Sequence, residues 1–272
     1  RYGSILGKLE LRATIASHWN KIYKANITTK EVGVTSGCNQ AFCAAISSVA
    51  ETGDTIILPS PWYFNHKMWL DINGIKTTAL PCNDKYLPTI FELKKICDKS
   101  VKAIVLVTPN NPTGQEYPKS LLKKIANFAK KNKIALIIDE TYRDFISKKN
   151  QLHNLFETDD WQQWLIHLYS FSKSYRIPGL RIGGIITGAS RITNIKKMLD
   201  SLTICPNQLG QEAALFGLNH LSSFVEKQRL EIIKRKTTLL KSMKELPNWT
   251  VLSIGSYFAY IKYPMSVQSL QF

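Results

Sequence analysis

Leu165-Ile166-His167-Leu168-Tyr169-Ser170-Phe171-Ser172-Lys173-Ser174-Tyr175-Arg176-Ile177-Pro178-Gly179-Leu180-Arg181 is the stretch whose reading organises the rest of the chain. Leu165–Tyr169 is a short apolar run, the pattern of a buried strand. A lysine at the end of such a strand is costly unless a partner or a covalent bond uses it. Its amine sheds its proton when desolvated, which suits it to carbonyl chemistry. Ser170, Ser172 and Arg181 supply hydroxyl donors and a forked, permanently charged guanidinium, the groups that a phosphate dianion accepts from. The stretch implies a lysine that holds an aldehyde beside a cradle that holds a phosphate. Two other readings fit the same residues. Ser170-x-x-Lys173 matches the Ser-x-x-Lys of serine acyl-enzymes, but their companion Lys-Thr-Gly and Ser-Asp-Asn are absent. Alternatively, Lys173 and Arg181 are solvated loop cations.

Working outward, apolar strands alternate with amphipathic helices. Strands are predicted at Thr55–Leu58, Lys76–Leu80, Ala103–Thr108, Ile134–Ile138, Ile166–Tyr169 and Gly183–Thr187. Helices are predicted at Glu10–Tyr23, Phe64–Ile72, Ile90–Lys95 and Tyr117–Lys131. The alternation implies an α/β fold with a mainly parallel sheet covered by helices on both faces. Ligands in such sheets sit beyond the carboxyl ends of the strands. Those ends carry Pro61-Trp62-Tyr63 with His66, then Asn110-Asn111-Pro112-Thr113-Gly114, Asp139 with Tyr142, and Ser170, Ser172 and Lys173. One aromatic, one amide, one carboxylate, one phenol and one lysine are thus expected on one rim. Nearer the start, Val32–Thr35 reads as a strand, Ser36-Gly37-Cys38-Asn39-Gln40-Ala41 as a turn, and Phe42–Ala50 as an apolar helix. That arrangement aims free backbone N–H groups at an anion. It also fits an ordinary strand-to-helix turn with Asn39 as N-cap.

Composition removes several alternatives. At 272 residues the chain can bury one large α/β domain and a smaller piece. The net charge of +16 would suit a nucleic acid, but the lysines are scattered along helix faces such as Glu116–Lys133 rather than gathered in a patch. Cys38, Cys43, Cys82, Cys97 and Cys205 form no Cys-x-x-Cys pair, as expected of reduced cysteines in a cytoplasmic protein. No apolar run reaches membrane-spanning length, and the histidines show no metal-binding spacing. Gly3-x-x-x-Gly7-Lys8 is one residue short of a phosphate loop, and Leu9 stands where a magnesium-binding hydroxyl belongs. Without a phosphate loop, a nucleotide-hydrolase reading of the Ile134–Glu140 run is rejected. No signal peptide opens the chain, which starts at Arg1.

If the aldehyde is pyridoxal phosphate, Asp139 is the carboxylate to keep its ring nitrogen protonated, so that the ring acts as an electron sink. Tyr142 and Asn111 suit its ring hydroxyl, and Tyr63 could stack on its face. With these motifs in this order the chain resembles the fold-type I pyridoxal-phosphate enzymes of the class I/II aminotransferase family, related to aspartate and aromatic aminotransferases. The resemblance runs from Tyr2 to about Thr187. It implies that Lys173 is the Schiff-base lysine of the Ser-x-Lys motif. It implies that Asp139 and Tyr142 serve the ring nitrogen and hydroxyl, and that Asn111 is the asparagine of Asn-Pro-x-Gly. Tyr63 falls on the stacking aromatic, Cys38 and Asn39 on the backbone phosphate cup, and Ser170, Ser172 and Arg181 on phosphate-binding positions. Tyr2 falls on a tyrosine that reaches the neighbouring subunit's phosphate, which implies a homodimer.

The implied reaction is a ping-pong transamination between an amino acid and a 2-keto acid, with Lys173 as general base and acid. Two alternatives stay open: a lyase on the same scaffold and a non-catalytic remnant that binds the cofactor. Residues 1–235 are expected to form the cofactor-binding large domain, and residues 236–272 the end of a connecting helix and an incomplete small domain. No arginine follows Arg235, so the family's carboxylate-binding arginine lies outside this sequence, and the chain looks truncated at both ends.

Overall fold

A computed structural model describes residues 1–148 and 152–264. Its centre is a seven-stranded sheet in the order β1-β7-β6-β5-β4-β2-β3. In chain order the strands are β1 (Val32–Thr35), β2 (Thr55–Ser60), β3 (Lys76–Pro81), β4 (Val101–Val107), β5 (Ala135–Asp139), β6 (Leu165–Ser170) and β7 (Gly183–Ile186). The pairs from β3 across to β6 are parallel, while β7 runs antiparallel to both β6 and β1. The expected mainly parallel sheet is present. Because β7 is flanked antiparallel on both sides, β1 points the same way as β6, and its carboxyl end joins the same rim.

The central strands are buried along nearly their whole length, and their alternating side chains feed two cores. Ile104, Leu106, Leu136 and Ile138 face one core. There they meet Leu11, Ile15 and Trp19 of α1 (Leu9–Tyr23) and Leu122 and Ile125 of α5 (Lys119–Lys131). Ala103, Val105, Ile137 and Ile166 face the other core. They pack with Phe42 and Ala45 of α2 (Cys38–Ser47) and Ile192 and Leu199 of α8 (Ala189–Thr203). On α5 the lysines turn outward while Leu122, Ile125, Ala126 and Ala129 are buried, so that share of the positive charge is a solvated helix face.

The remaining helices are α3 (Phe64–Ile72), α4 (Ile90–Ile96), α6 (Trp161–Trp164), α7 (Phe171–Ser174), α9 (Gln208–His220) and the 22-residue α10 (Ser222–Met243). The domain division expected at residue 235 falls inside the continuous α10. Beyond it, β8 (Thr250–Gly255) and β9 (Phe258–Lys262) form an antiparallel hairpin. Residues 265–272 of the expected second segment lie outside the described residues.

One boundary differs usefully from expectation. Helix α2 begins at Cys38, not Phe42, and the residue before it is Gly37 at φ +84°, not Asn39 as cap. Only glycine adopts that backbone easily. The early start directs the first-turn N–H groups of α2 at the rim.

Candidate active site

At the carboxyl ends of the strands lies a cavity of about 150 Å³. Lys173 lines it from α7, a single helical turn set directly on the end of β6. Ser170 starts that turn, its Oγ accepting the Ser172 N–H at 3.3 Å. Lys173 Nζ lies 5.9 Å from the centre of the Tyr142 ring. Asp139, the last residue of β5, is 4% exposed. Its Oδ1 accepts the backbone N–H of Thr141 at 2.9 Å and that residue's hydroxyl at 2.7 Å. Its Oδ2 faces His66 Nε2 at 3.5 Å. Burial pushes this carboxyl up, but His66 and Thr141 outweigh it and hold Asp139 below the usual carboxylate range. An ionised carboxylate therefore borders the cavity. Burial, then the Asp139 charge, pushes the Tyr142 phenol up, so it is a neutral hydroxyl donor at ordinary pH.

Tyr63 forms one wall, and its hydroxyl lies 3.5 Å from Asn39 Oδ1. The Asn110–Gly114 turn also reaches the cavity and assigns different work to two adjacent asparagines. Asn110 is buried and its Oδ1 accepts the Thr113 N–H at 3.1 Å and hydroxyl at 2.8 Å. Asn110 thereby builds the turn, and Asn111 lines the cavity.

Cys38, Asn39, Ser170, Ser172 and Arg181 also line the cavity, bringing hydroxyls, first-turn N–H groups and a guanidinium together. A Cβ on Gly37 would fall 2.4 Å from Arg181 Nη2, and one on Gly183 would fall 2.6 Å from the Gly37 backbone. These approaches hold the cationic fork against the start of α2. Ser172 Oγ is buried without a hydrogen-bond partner, a donor left for a ligand. Donor-rich at one side and bordered by an ionised carboxylate and a lysine, the cavity fits a phosphorylated pyridine aldehyde. Cys38 contributes volume rather than a nucleophile, since burial pushes its thiol well up.

Every residue expected to hold the cofactor lines this cavity except Tyr2, which is 82% exposed on the surface. Sequence reasoning missed Thr141, the double donor to Asp139, and Val107 and Pro178 in the lining. It grouped His66 with Tyr63 on the rim, whereas His66 is buried beside Asp139, stacked on Phe42 at 3.9 Å. Its place three residues after Tyr63, at the start of α3, was the available signal.

The structure also brings together Glu140, His153 and His167, with one ligand atom from each within 4.8 Å of the others. Hydrogen bonding opposes a metal there. The indole N–H of Trp19 reaches His167 Nδ1 at 3.4 Å, and the Leu155 N–H reaches His153 Nδ1 at 3.2 Å. Both are donors only, so each Nδ1 is the acceptor and each neutral ring carries its proton on Nε2. Those protons face Glu140 Oε2, at 2.8 Å from His167 and 3.6 Å from His153, and Tyr23 also donates to this carboxylate.

The aminotransferase class I and II family profile matches residues 1–271. The chain belongs to that family. Its members are pyridoxal-phosphate-dependent transaminases, and this chain is an aminotransferase by fold and sequence. It is similar to an aspartate aminotransferase of Thermotoga maritima, 26% identical over 96% of this chain and 69% of the relative. It is similar also to an aromatic aminotransferase of Arabidopsis thaliana, 28% identical over 97% of this chain and 67% of the relative. Among solved structures, an aromatic aminotransferase from Pyrococcus horikoshii superposes with a TM-score of 0.85 at 28% identity, covering 90% of this chain and 67% of that one. An alanine aminotransferase from Pyrococcus furiosus gives 0.89 at 25% identity, covering 99% and 70%. This aminotransferase chain spans about two thirds of the length of these relatives. Among its described residues, no helix is long and apolar enough to cross a membrane.

Proposed function

We propose that this chain transfers an amino group between an amino acid and a 2-keto acid, with Lys173 as the amine that links the cofactor and moves the proton. The supporting observation is that Lys173, Tyr142 and an ionised Asp139 border one cavity that the orphaned Ser172 hydroxyl and Arg181 also line. Bound pyridoxal phosphate supplies the electron sink. Asp139 would keep the ring nitrogen protonated, a charge pairing strengthened by burial. Tyr142 and Asn111 would serve the ring hydroxyl, and Tyr63 would stack on the ring. Ser170, Ser172, Arg181 and the amides of Cys38 and Asn39 would hold the phosphate. Lys173 Nζ would take the proton from the substrate Cα.

The relatives' names divide among aspartate, aromatic and alanine donors, so the proposal stays at the class of amino acids and 2-keto acids. We read the protein as a homodimer, since Tyr2 is free on the surface to reach a neighbour's cup. Five free cysteines support a cytoplasmic location. Residues 1–235 act as the cofactor domain, with 236–272 leading into a second.

The test is the visible spectrum of the chain with pyridoxal phosphate, beside Lys173→Ala. The expected result is a band that borohydride fixes onto Lys173, that the variant lacks, and that an amino acid bleaches as its 2-keto acid appears. No band in the folded chain, or a band insensitive to Lys173→Ala, overturns the reading. Keto acid released catalytically without an amino acceptor would make the protein a lyase instead.

A further inference from the structure

Lys173 stands on one turn of helix, Phe171–Ser174, and a helix that short does not hold itself together. Tertiary contacts must set its orientation, and through it the direction of the lysine. Phe171 is fully buried and supplies one anchor. The other is polar. Ser174, the residue after Lys173, is fully buried, and its hydroxyl donates to Asp144 Oδ2 at 2.6 Å. The Tyr169 hydroxyl, from β6, donates to the same oxygen at 2.5 Å and lies 3.1 Å from Ser174 Oγ. Asp144 belongs to the 3-10 turn Arg143–Phe145, which begins directly after Tyr142. One carboxylate oxygen therefore ties together the end of β6, the turn that carries Lys173 and the turn that follows Tyr142.

Asp144 is itself held in place by its neighbours. Arg143 Nε lies 3.6 Å from Oδ1, and that guanidinium packs against two rings, 3.6 Å from the Trp19 centre and 4.4 Å from the Tyr169 centre. His18, Tyr175 and Tyr257 also feel the Asp144 charge. Burial pushes His18 down to about 4, so it adds no cation at ordinary pH, and burial pushes the Tyr175 phenol up, so it stays neutral. Asp144 does not line the cofactor cavity.

We infer that Asp144 is a positioning residue that sets the separation and angle between Lys173 and Tyr142 by accepting the Ser174 and Tyr169 hydroxyls on one oxygen. The inference rests on the proposed cofactor role of Lys173. Proton transfer and carbonyl attack both depend on the direction of Nζ, and a displacement of about 1 Å is enough to cost about a hundredfold in rate. Loss of the clamp leaves the phosphate cup and Asp139 in place, so the cofactor is retained while the lysine chemistry slows.

Asp144→Ala, Ser174→Ala and Asp144→Asn test it, each mixed with pyridoxal phosphate beside the unsubstituted chain. The readouts are the rate at which the Lys173-linked visible band forms, the pH midpoint of that band, and the melting temperature of the cofactor-free protein. Asp144→Ala and Ser174→Ala are expected to slow band formation about tenfold or more. Both should also move the midpoint by about half a pH unit or more. Asp144→Asn, whose amide oxygen can occupy the Oδ2 place and accept both hydroxyls, restores most of the rate. If Asp144→Ala fails to fold, Ser174→Ala decides. Band formation at the unsubstituted rate and midpoint in the alanine variants overturns the role of Asp144 alone. So does a defect in Asp144→Asn as large as in Asp144→Ala. No band in the unsubstituted chain overturns instead the proposed function.

Discussion

His66 Nε2 lies 3.5 Å from Asp139 Oδ2, and the histidine ring is held flat against Phe42 at 3.9 Å. The carboxylate is thus supported from behind by a clamped imidazole and from the side by Thr141. His66→Phe keeps the aromatic stack and removes the polar support, so Asp139 rises toward the ordinary carboxyl range. Affinity for pyridoxal phosphate is expected to fall about tenfold, as for loss of a hydrogen bond to a charge. Asp139→Asn should lower the half-reaction rate with an amino acid by about a hundredfold or more. Equilibrium dialysis and stopped-flow absorbance measure the two, and unchanged binding in His66→Phe would remove that histidine from the site.

The orphaned Ser172 hydroxyl points to a phosphate-specific effect. Ser172→Ala should weaken pyridoxal phosphate binding by about tenfold, and Arg181→Ala by more. Pyridoxal, which lacks the phosphate, should bind the variants and the unsubstituted chain alike. Comparing both ligands by dialysis separates loss of the cup from general damage, since damage would weaken both.

Acid sensitivity follows from the Glu140 cluster. Burial would raise Glu140, but His153, His167 and Tyr23 hold it down at about 2, against an ordinary 4.5. A depressed carboxyl contributes stability that is complete above about 4.5 and lost as pH falls toward 2. His153 is pushed down by burial to about 4 from 6.5, so its neutral form favours the fold, and that contribution is lost as pH falls from 6.5 toward 4. The urea midpoint should therefore drop steadily below about pH 6.5. His153→Phe should flatten the upper part of that fall. Glu140→Gln should flatten the lower part and lower stability at pH 7 by about 3 kcal/mol, because buried donors lose a charged acceptor. A pH-independent midpoint between 4 and 7 would contradict this account of the cluster.

Gly114 governs how the β8–β9 hairpin rests on the Asn110–Gly114 turn. It sits at φ +72°, and an added Cβ would fall 2.5 Å from Gly255 N and 2.6 Å from Gly255 O. Since both contacts are backbone, no side chain can move aside. Gly114→Ala is expected to cost about 1–3 kcal/mol and to loosen the hairpin. Tyr257 and Phe258, whose rings pack 5.7 and 4.9 Å from that of Tyr142, would lose that contact. Proteolysis between residues 244 and 250 should accelerate, and a cleavage rate equal to that of the unsubstituted chain would refute the close fit.

Much of this molecule was legible from local pattern. The apolar runs that became β4, β5 and β6 and the helical spacing of α5 follow from side-chain periodicity within a few residues. Because a parallel sheet gathers its strand ends at one rim, pattern alone groups Tyr63, Asn111, Asp139, Tyr142 and Lys173. The start of α2 was read too late, since the apolar stretch begins after the glycine turn that opens the helix.

What the sequence by itself determined is the order of elements, the face each buries and the residues at the carboxyl ends of the strands, all set by interactions between near neighbours in the chain. The tertiary structure alone decided that Asn110 builds a turn while Asn111 faces the cavity, and that His66 backs Asp139. It alone placed Asp144 under Ser174 and closed Tyr23, His153 and His167 around Glu140. Those relationships join side chains up to 117 residues apart. No periodicity encodes them, because a distant polar pair forms only where packing has removed both groups from water and left each the other as partner.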